Sequence, residues 1–188
     1  DSAGAVSAPT MIEKKICMLG AFAVGKTSLV RRFVSSCFSE QYQTTIGVTV
    51  DKKSMTVDET PLTLVLWDLY GEDEFQKLRT SYLRGSSGYL LVLDGMRRAT
   101  LDLALHMQER ATDTLGPVPF VVLINKHDQR AAWDITDRDL AQLAERGWSL
   151  LMSSAKTGQG VEEAFLTLAR AMLAPSPSSP TAGNTHGL

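Results

Sequence analysis

Cysteine is scarce in this chain: Cys17 and Cys37 are the only two among 188 residues. They stand in no metal-like spacing, so neither a disulfide framework nor a zinc site has anything to build on. Long apolar runs are also missing; nothing approaches the roughly 18 to 20 unbroken apolar residues of a membrane-spanning helix. The first residues lack the charged start and apolar run of a secretory signal. Nor does one sign of charge dominate. Nineteen Lys plus Arg face 21 Asp plus Glu, a net charge of −2, with no block of like charges, which argues against nucleic acid as a partner. The three histidines, His106, His127 and His186, are scattered and suggest no catalytic cluster. These absences lead us to expect a soluble protein of the reducing cytoplasm.

What is present suits one domain: 44% of the residues are apolar and 21% charged, ordinary values for a globular chain. Residues 1–10 are small and polar and precede Met11, and we expect them to be a disordered or non-native extension. Residues 175–188, rich in Pro, Ser, Thr and Gly, are expected to form a disordered tail. Between these flanks, residues 11–174 alternate short apolar runs (14–19, 88–94, 120–125, 149–152) with helical patterns (26–35, 100–115, and a last one with Val161, Ala164, Phe165, Leu168, Ala169, Met172 and Leu173 on one face). Alternation of this kind implies an α/β fold with a parallel sheet covered on both faces. Runs 48–57 and 62–67 are separated only by Asp58, Glu59, Thr60 and Pro61, which predicts a hairpin. The expected sheet is therefore mostly parallel and six-stranded, with one antiparallel edge strand.

Gly20, Ala21, Phe22, Ala23, Val24, Gly25, Lys26 and Thr27 match GxxxxGK[ST], directly after a strand and before an amphipathic helix. Here backbone N–H groups and a helix N-terminus can face a polyphosphate, and Lys26 adds a full charge at the outer phosphates. Thr27 offers a hydroxyl to Mg²⁺, and Ser28 follows it. Run 62–67 delivers Asp68 at its end, followed by Leu69, Tyr70 and Gly71. An acid so placed can hold a Mg²⁺-bound water. By itself this DxxG is ordinary loop chemistry; its order after the phosphate loop gives it meaning.

Asn125, Lys126, His127 and Asp128 follow the apolar run 120–124, at the sheet edge where open α/β folds bind ligands. A carboxylate at Asp128 can accept from two adjacent donors. Guanine presents such a pair on its ring N–H and exocyclic amine, whereas adenine presents an acceptor there. Ser154, Ala155 and Lys156 end the next run, where a backbone N–H can meet the guanine carbonyl. Singly, each of these is a polar turn; in this order they form a guanine-reading constellation.

With these motifs in place, the chain from about residue 14 to 173 resembles a Ras-superfamily small GTPase, with the pattern of its Rab-like and bacterial Ras-like members. The resemblance implies a P-loop NTPase G domain that binds GTP or GDP with Mg²⁺ and acts as a switch with slow, partner-stimulated hydrolysis. It further implies that Thr45, in Tyr42-Gln43-Thr44-Thr45-Ile46-Gly47, binds Mg²⁺ beside Thr27 and Asp68, and that Phe38 lies against the guanine. By the same resemblance Tyr42 joins the nucleotide site, Gly71 meets the γ-phosphate, and Lys126 and Lys156 flank the base. Residues 38–47 and 68–80 would then order with nucleotide state and present a surface to effectors, an exchange factor and an activating protein.

Two residues depart from that pattern. Glu72 stands where a water-orienting glutamine is usual; a carboxylate there accepts a proton from water but also brings negative charge near a phosphate. Phe22 stands where the family carries a small residue. Its ring either obstructs an arginine supplied by an activating partner or turns onto an apolar neighbour such as Tyr70 or Phe75. The last residues contain no cysteine, so no prenyl anchor is expected at this terminus. Arg97 and Arg98 read as a solvated loop edge. Against the switch stand a GTP-bound or nucleotide-insensitive binding module, with Phe22 and Glu72 abolishing turnover, and an ATP-using kinase or ATPase sharing only the phosphate loop. The Asn125-to-Asp128 tetrad disfavours the latter.

Overall fold

The computed structural model describes residues 11–35, 40–43, 47–69 and 80–174. The expectations placed on 1–10, Phe38, Thr45, Tyr70, Gly71, Glu72, Phe75 and 175–188, and on the side chain of Tyr42, lie outside the described residues. In chain order the elements are β1 (Ile12–Gly20), α1 (Lys26–Val34), β2 (Glu40–Gln43), β3 (Val48–Val57), β4 (Thr60–Leu69), α2 (Thr80–Leu83), β5 (Ser86–Asp94), α3 (Ala99–Leu115), β6 (Phe120–Asn125), a 3-10 helix (His127–Ala132), α4 (Asp137–Glu145), β7 (Leu150–Met152) and α5 (Val161–Leu173).

The strands form one sheet in the order β2-β3-β4-β1-β5-β6-β7. Five of them, β4, β1, β5, β6 and β7, run parallel, and β3 is antiparallel to β4. This is the expected six-stranded mixed sheet. The short β2 pairs antiparallel with β3 and extends it outward, so β3 is not the outermost strand. The β3–β4 turn is tighter than the sequence suggests, because Asp58 and Glu59 both take left-handed backbone (φ 46° and 70°). Their twist matches the flanking strands and lets pairing run on through Thr60 and Pro61.

Period-two alternation along the apolar strands sends side chains to both faces, and two cores result. One face carries Ile16, Met18, Leu64, Leu66, Leu90, Val92 and Leu123 under α1 and α5, where the rings of Phe33 and Phe165 stack at 4.0 Å. On the other, Cys17, Leu19, Leu91, Leu93, Val122 and Ile124 lie under α3 and α4, which contribute Leu101, Ala104, Met107, Ala111 and Leu143. The apolar stripe on α5 is buried at Val161, Ala164, Phe165, Leu168 and Ala169. Because the parallel strands all point one way, their carboxyl ends and the loops after them gather along one edge.

Candidate functional site

Gly20 ends β1, and the loop after it leads into α1 at Lys26. Both loop glycines are dictated by close approach. Gly20 (φ 153°) would place a Cβ 2.5 Å from the Val92 carbonyl, and at Gly25 (φ 103°) a Cβ would collide with the Asn125 amide. Gly25 is also the N-cap of α1 and supplies no side-chain cap, while the first turn holds no acid. The positive end of α1 is therefore left to a ligand from outside the helix. Lys26 is 5% exposed, and its Nζ donates to the Gly20 and Ala21 carbonyls at 3.0 and 3.3 Å. Phe22, by contrast, is 48% exposed.

Asp68, near the end of β4, is 1% exposed. Thr27 Oγ1 donates to its Oδ2, while its Oδ1 is buried with no hydrogen-bond partner among the described residues. Burial raises the Asp68 carboxyl above its usual range, against the Thr27 hydrogen bond and the charges of Lys26 and Arg31. A buried acid with an unmet oxygen beside a threonine hydroxyl is a pair of hard oxygen donors that fits Mg²⁺.

The tetrad after β6 is braced from three sides. Asn125, 2% exposed, donates through Nδ2 to the Val24 carbonyl at 2.9 Å and accepts at Oδ1 from Ser153 Oγ (3.1 Å) and Ala155 N (3.3 Å). It thus joins the phosphate loop, β6 and the loop after β7. Ser154 Oγ donates to Asp128 Oδ1 at 2.8 Å. Lys126 takes left-handed backbone (φ 71°), and its carbonyl accepts from Trp133 Nε1 at 2.9 Å. His127 meets Gln159 Oε1 through Nδ1 at 2.9 Å, a structural contact. Gly25, Ser28, Asn125, Lys126, Asp128, Gln129, Ala155 and Lys156 line one cleft of about 330 Å³, enough for an aromatic base.

Sequence reasoning missed Gln129 in this lining, Trp133 behind the tetrad, and Asp94. Asp94 ends apolar β5 much as Asp68 comes one residue before the end of β4, and that position was the available signal. It is 1% exposed and binds Lys126 Nζ at 2.8 Å and Arg97 Nε at 3.0 Å. Arg97 and Arg98 are exposed, as a solvated loop edge should be, but both are partnered: Arg98 pairs with Asp139 at 3.0 Å, while Arg97 also reaches the Phe22 carbonyl at 2.7 Å.

Comparison with known proteins agrees with this geometry. The family model described as "Ras family" matches residues 15–174. Ras-related protein Rab-7b of Mus musculus is 32% identical over 173 residues, 86% of this chain and 84% of the relative. Ras-related protein Rab-13 of Canis lupus familiaris is 31% identical over 92% of this chain and 85% of the relative. Ras-related protein Rab-1 of Theileria parva is 30% identical over 84% and 73%. The chain belongs to the Ras family and is a Rab-like small GTP-binding protein. Among the described residues, no helix is long and apolar enough to cross a membrane.

Proposed function

We propose that this protein, through the domain spanning residues 11–174, is a GTP/GDP switch that hydrolyses GTP slowly on its own and faster with an activating partner. The observation that carries this reading is the convergence of two differently built subsites on one sheet edge. Lys26, Thr27 and Asp68 gather where the phosphate loop ends, and Asp128, Lys126, Ala155 and Lys156 line the adjoining cleft. Asp128 Oδ2 has no protein partner among the described residues, which leaves it to accept from guanine. A carboxylate so placed disfavours adenine, whose ring nitrogen would oppose it.

The loop amides of residues 20–28 and the Lys26 ammonium hold the phosphates and stabilise the charge that develops as the γ-phosphoryl group transfers. Water attacks phosphorus in line; its O–P bond forms as the bond to the β,γ-bridging oxygen breaks, giving GDP and phosphate. Thr27, Asp68 and Thr45 would hold Mg²⁺, which when bound supplies neutralising charge at the phosphate oxygens. In the same reading Phe38 and Tyr42 cover the nucleotide, Gly71 donates to the γ-phosphate, and Glu72 orients the attacking water. Residues 38–47 and 68–80 carry the switch to effectors and regulators, and the setting is the cytoplasm.

The test is single-turnover hydrolysis of preloaded GTP in the parent, Glu72→Gln and Phe22→Gly. The expected parent rate is on the order of 10⁻⁴ s⁻¹, with Glu72→Gln changing it. Equal retention of ATP and GTP would remove the base-reading assignment. Phe22 and Glu72 supply a second reading, a GTP-bound binding module with impaired hydrolysis, that the same experiment separates. A silent parent rescued by Phe22→Gly would establish that one instead.

A further inference from the structure

The crest of the phosphate loop, Phe22 and Ala23, is held from outside the loop. Among the described residues the loop's backbone closes on itself only through Val24 N to the Ala21 carbonyl, at 3.5 Å; Lys26 Nζ holds the Gly20 and Ala21 carbonyls ahead of the crest, and Ala23 sits in left-handed backbone at φ 61°. Two carbonyls at the crest of the loop instead accept from outside it. Arg97 Nη2 donates to the Phe22 carbonyl at 2.7 Å, and Lys126 Nζ approaches the Ala23 carbonyl at 3.5 Å. Both cations are anchored on one acid, since Asp94 Oδ2 binds Arg97 Nε and Lys126 Nζ while its Oδ1 accepts from Met96 N at 2.9 Å. The Asp94 carboxylate is 1% exposed, so the anchor is dry and strong, whereas Arg97 itself is 44% exposed and contributes little to the core.

From this arrangement we infer that Arg97 is a positioning residue for the phosphate loop, and that its bridge from Asp94 to the Phe22 carbonyl slows the release of bound nucleotide. The inference rests on the proposed guanine-nucleotide site. Two of the guanidinium donors are spent on protein acceptors, so Arg97 acts on the ligand through the loop. Only a fork can serve both acceptors at once: Nε holds the acid while Nη2 reaches the carbonyl. A lysine in its place, with a single ammonium, would meet one or bridge both poorly. Unfastening the crest lets Phe22 and Ala23 depart from the conformation in which loop amides face phosphate, and each departure opens a path for release.

The experiment uses the full chain loaded with a fluorescent GDP analogue in Mg²⁺ and chased with excess unlabelled GDP. Parent, Arg97→Ala and Arg97→Lys are compared, with Tm and the preference for GDP over ADP measured alongside. We expect release about tenfold faster for Arg97→Ala, an intermediate rate for Arg97→Lys, and Tm and base preference unchanged. Release of Arg97→Ala within twofold of a parent that retains GDP would overturn the inference alone. Loss of base preference together with Tm would also overturn it, because the residue would then be a general structural brace. A parent that retains no guanine nucleotide would overturn the nucleotide reading itself, and this inference with it.

Discussion

On the proposed base side of the cleft, Asn125 satisfies itself within the protein, bonding to Val24, Ser153 and Ala155, and Ser154 fixes Asp128. On the proposed phosphate side, Asp68 is as deeply buried yet keeps one oxygen unmet among the described residues, and α1 begins without a side-chain cap. The contrast separates two ways of building a site. Base recognition needs a rigid pattern of donors and acceptors, which the protein's own hydrogen bonds can set in advance. Charge recognition needs a field that an incoming cation and polyanion complete, so some groups are held at a cost until they arrive.

The largest break in this contrast should come from Lys26→Ala. Removing a buried cation that faces phosphate costs about 3–5 kcal/mol, so calorimetry should show nucleotide affinity falling several hundredfold or more. Unchanged affinity would displace the phosphates from this loop. Asn125→Ala strikes the self-satisfied side: it strands partners in two segments, the phosphate loop and the loop after β7, and a loss of about 2–3 kcal/mol in denaturant unfolding is expected without any nucleotide present. If stability held while only binding fell, Asn125 would be a ligand contact rather than a strut. Asp128→Asn should shift preference from guanine toward xanthine, whose extra carbonyl suits the amide donor, and competition between GDP and its xanthine analogue reads this directly.

Asp68 sharpens the comparison through pH. Its folded-state carboxyl lies above the unfolded range near 3.8, chiefly by burial. In metal-free protein its contribution to stability therefore falls as pH rises from about 4 through its raised value. Asp68→Asn should flatten that fall in thermal unfolding while abolishing the effect of Mg²⁺ on nucleotide retention. Asp139, outside both subsites, gives the opposite sign and the smallest effect. Its hydrogen bond with Arg98, aided by Thr136, holds it down to about 2, so its stabilisation is present above the unfolded value of about 4 and fades as pH falls toward 2. Asp139→Asn should converge with the parent over that window in acid unfolding curves.

Much of this was legible from local pattern. The strand-to-helix setting of Gly20 to Thr27 and the apolar runs ending at Asp68 and Asn125 located both subsites, because period and turn chemistry act over a few residues. The helical stripe on α5 was equally plain. The contacts of Arg97 were missed because its partners, Asp94 and Phe22, lie three and 75 residues away, and no local rule joins the distant one. Trp133 went unnoticed for the same reason: it packs on Gly95, where a Cβ would collide with its ring. The added strand β2 was hidden by brevity, since four residues carry no period.

By itself, then, the sequence determined which loops hold chemistry and what charge each brings, because strand alternation, glycine placement and side-chain type are local properties. Tertiary structure alone decided how those loops are held. Burial of Asp68 and Asp94 depends on the neighbouring strands, and the bonds from Asn125 to Val24 and from Arg97 to Phe22 exist only because parallel strands bring their carboxyl ends to one edge.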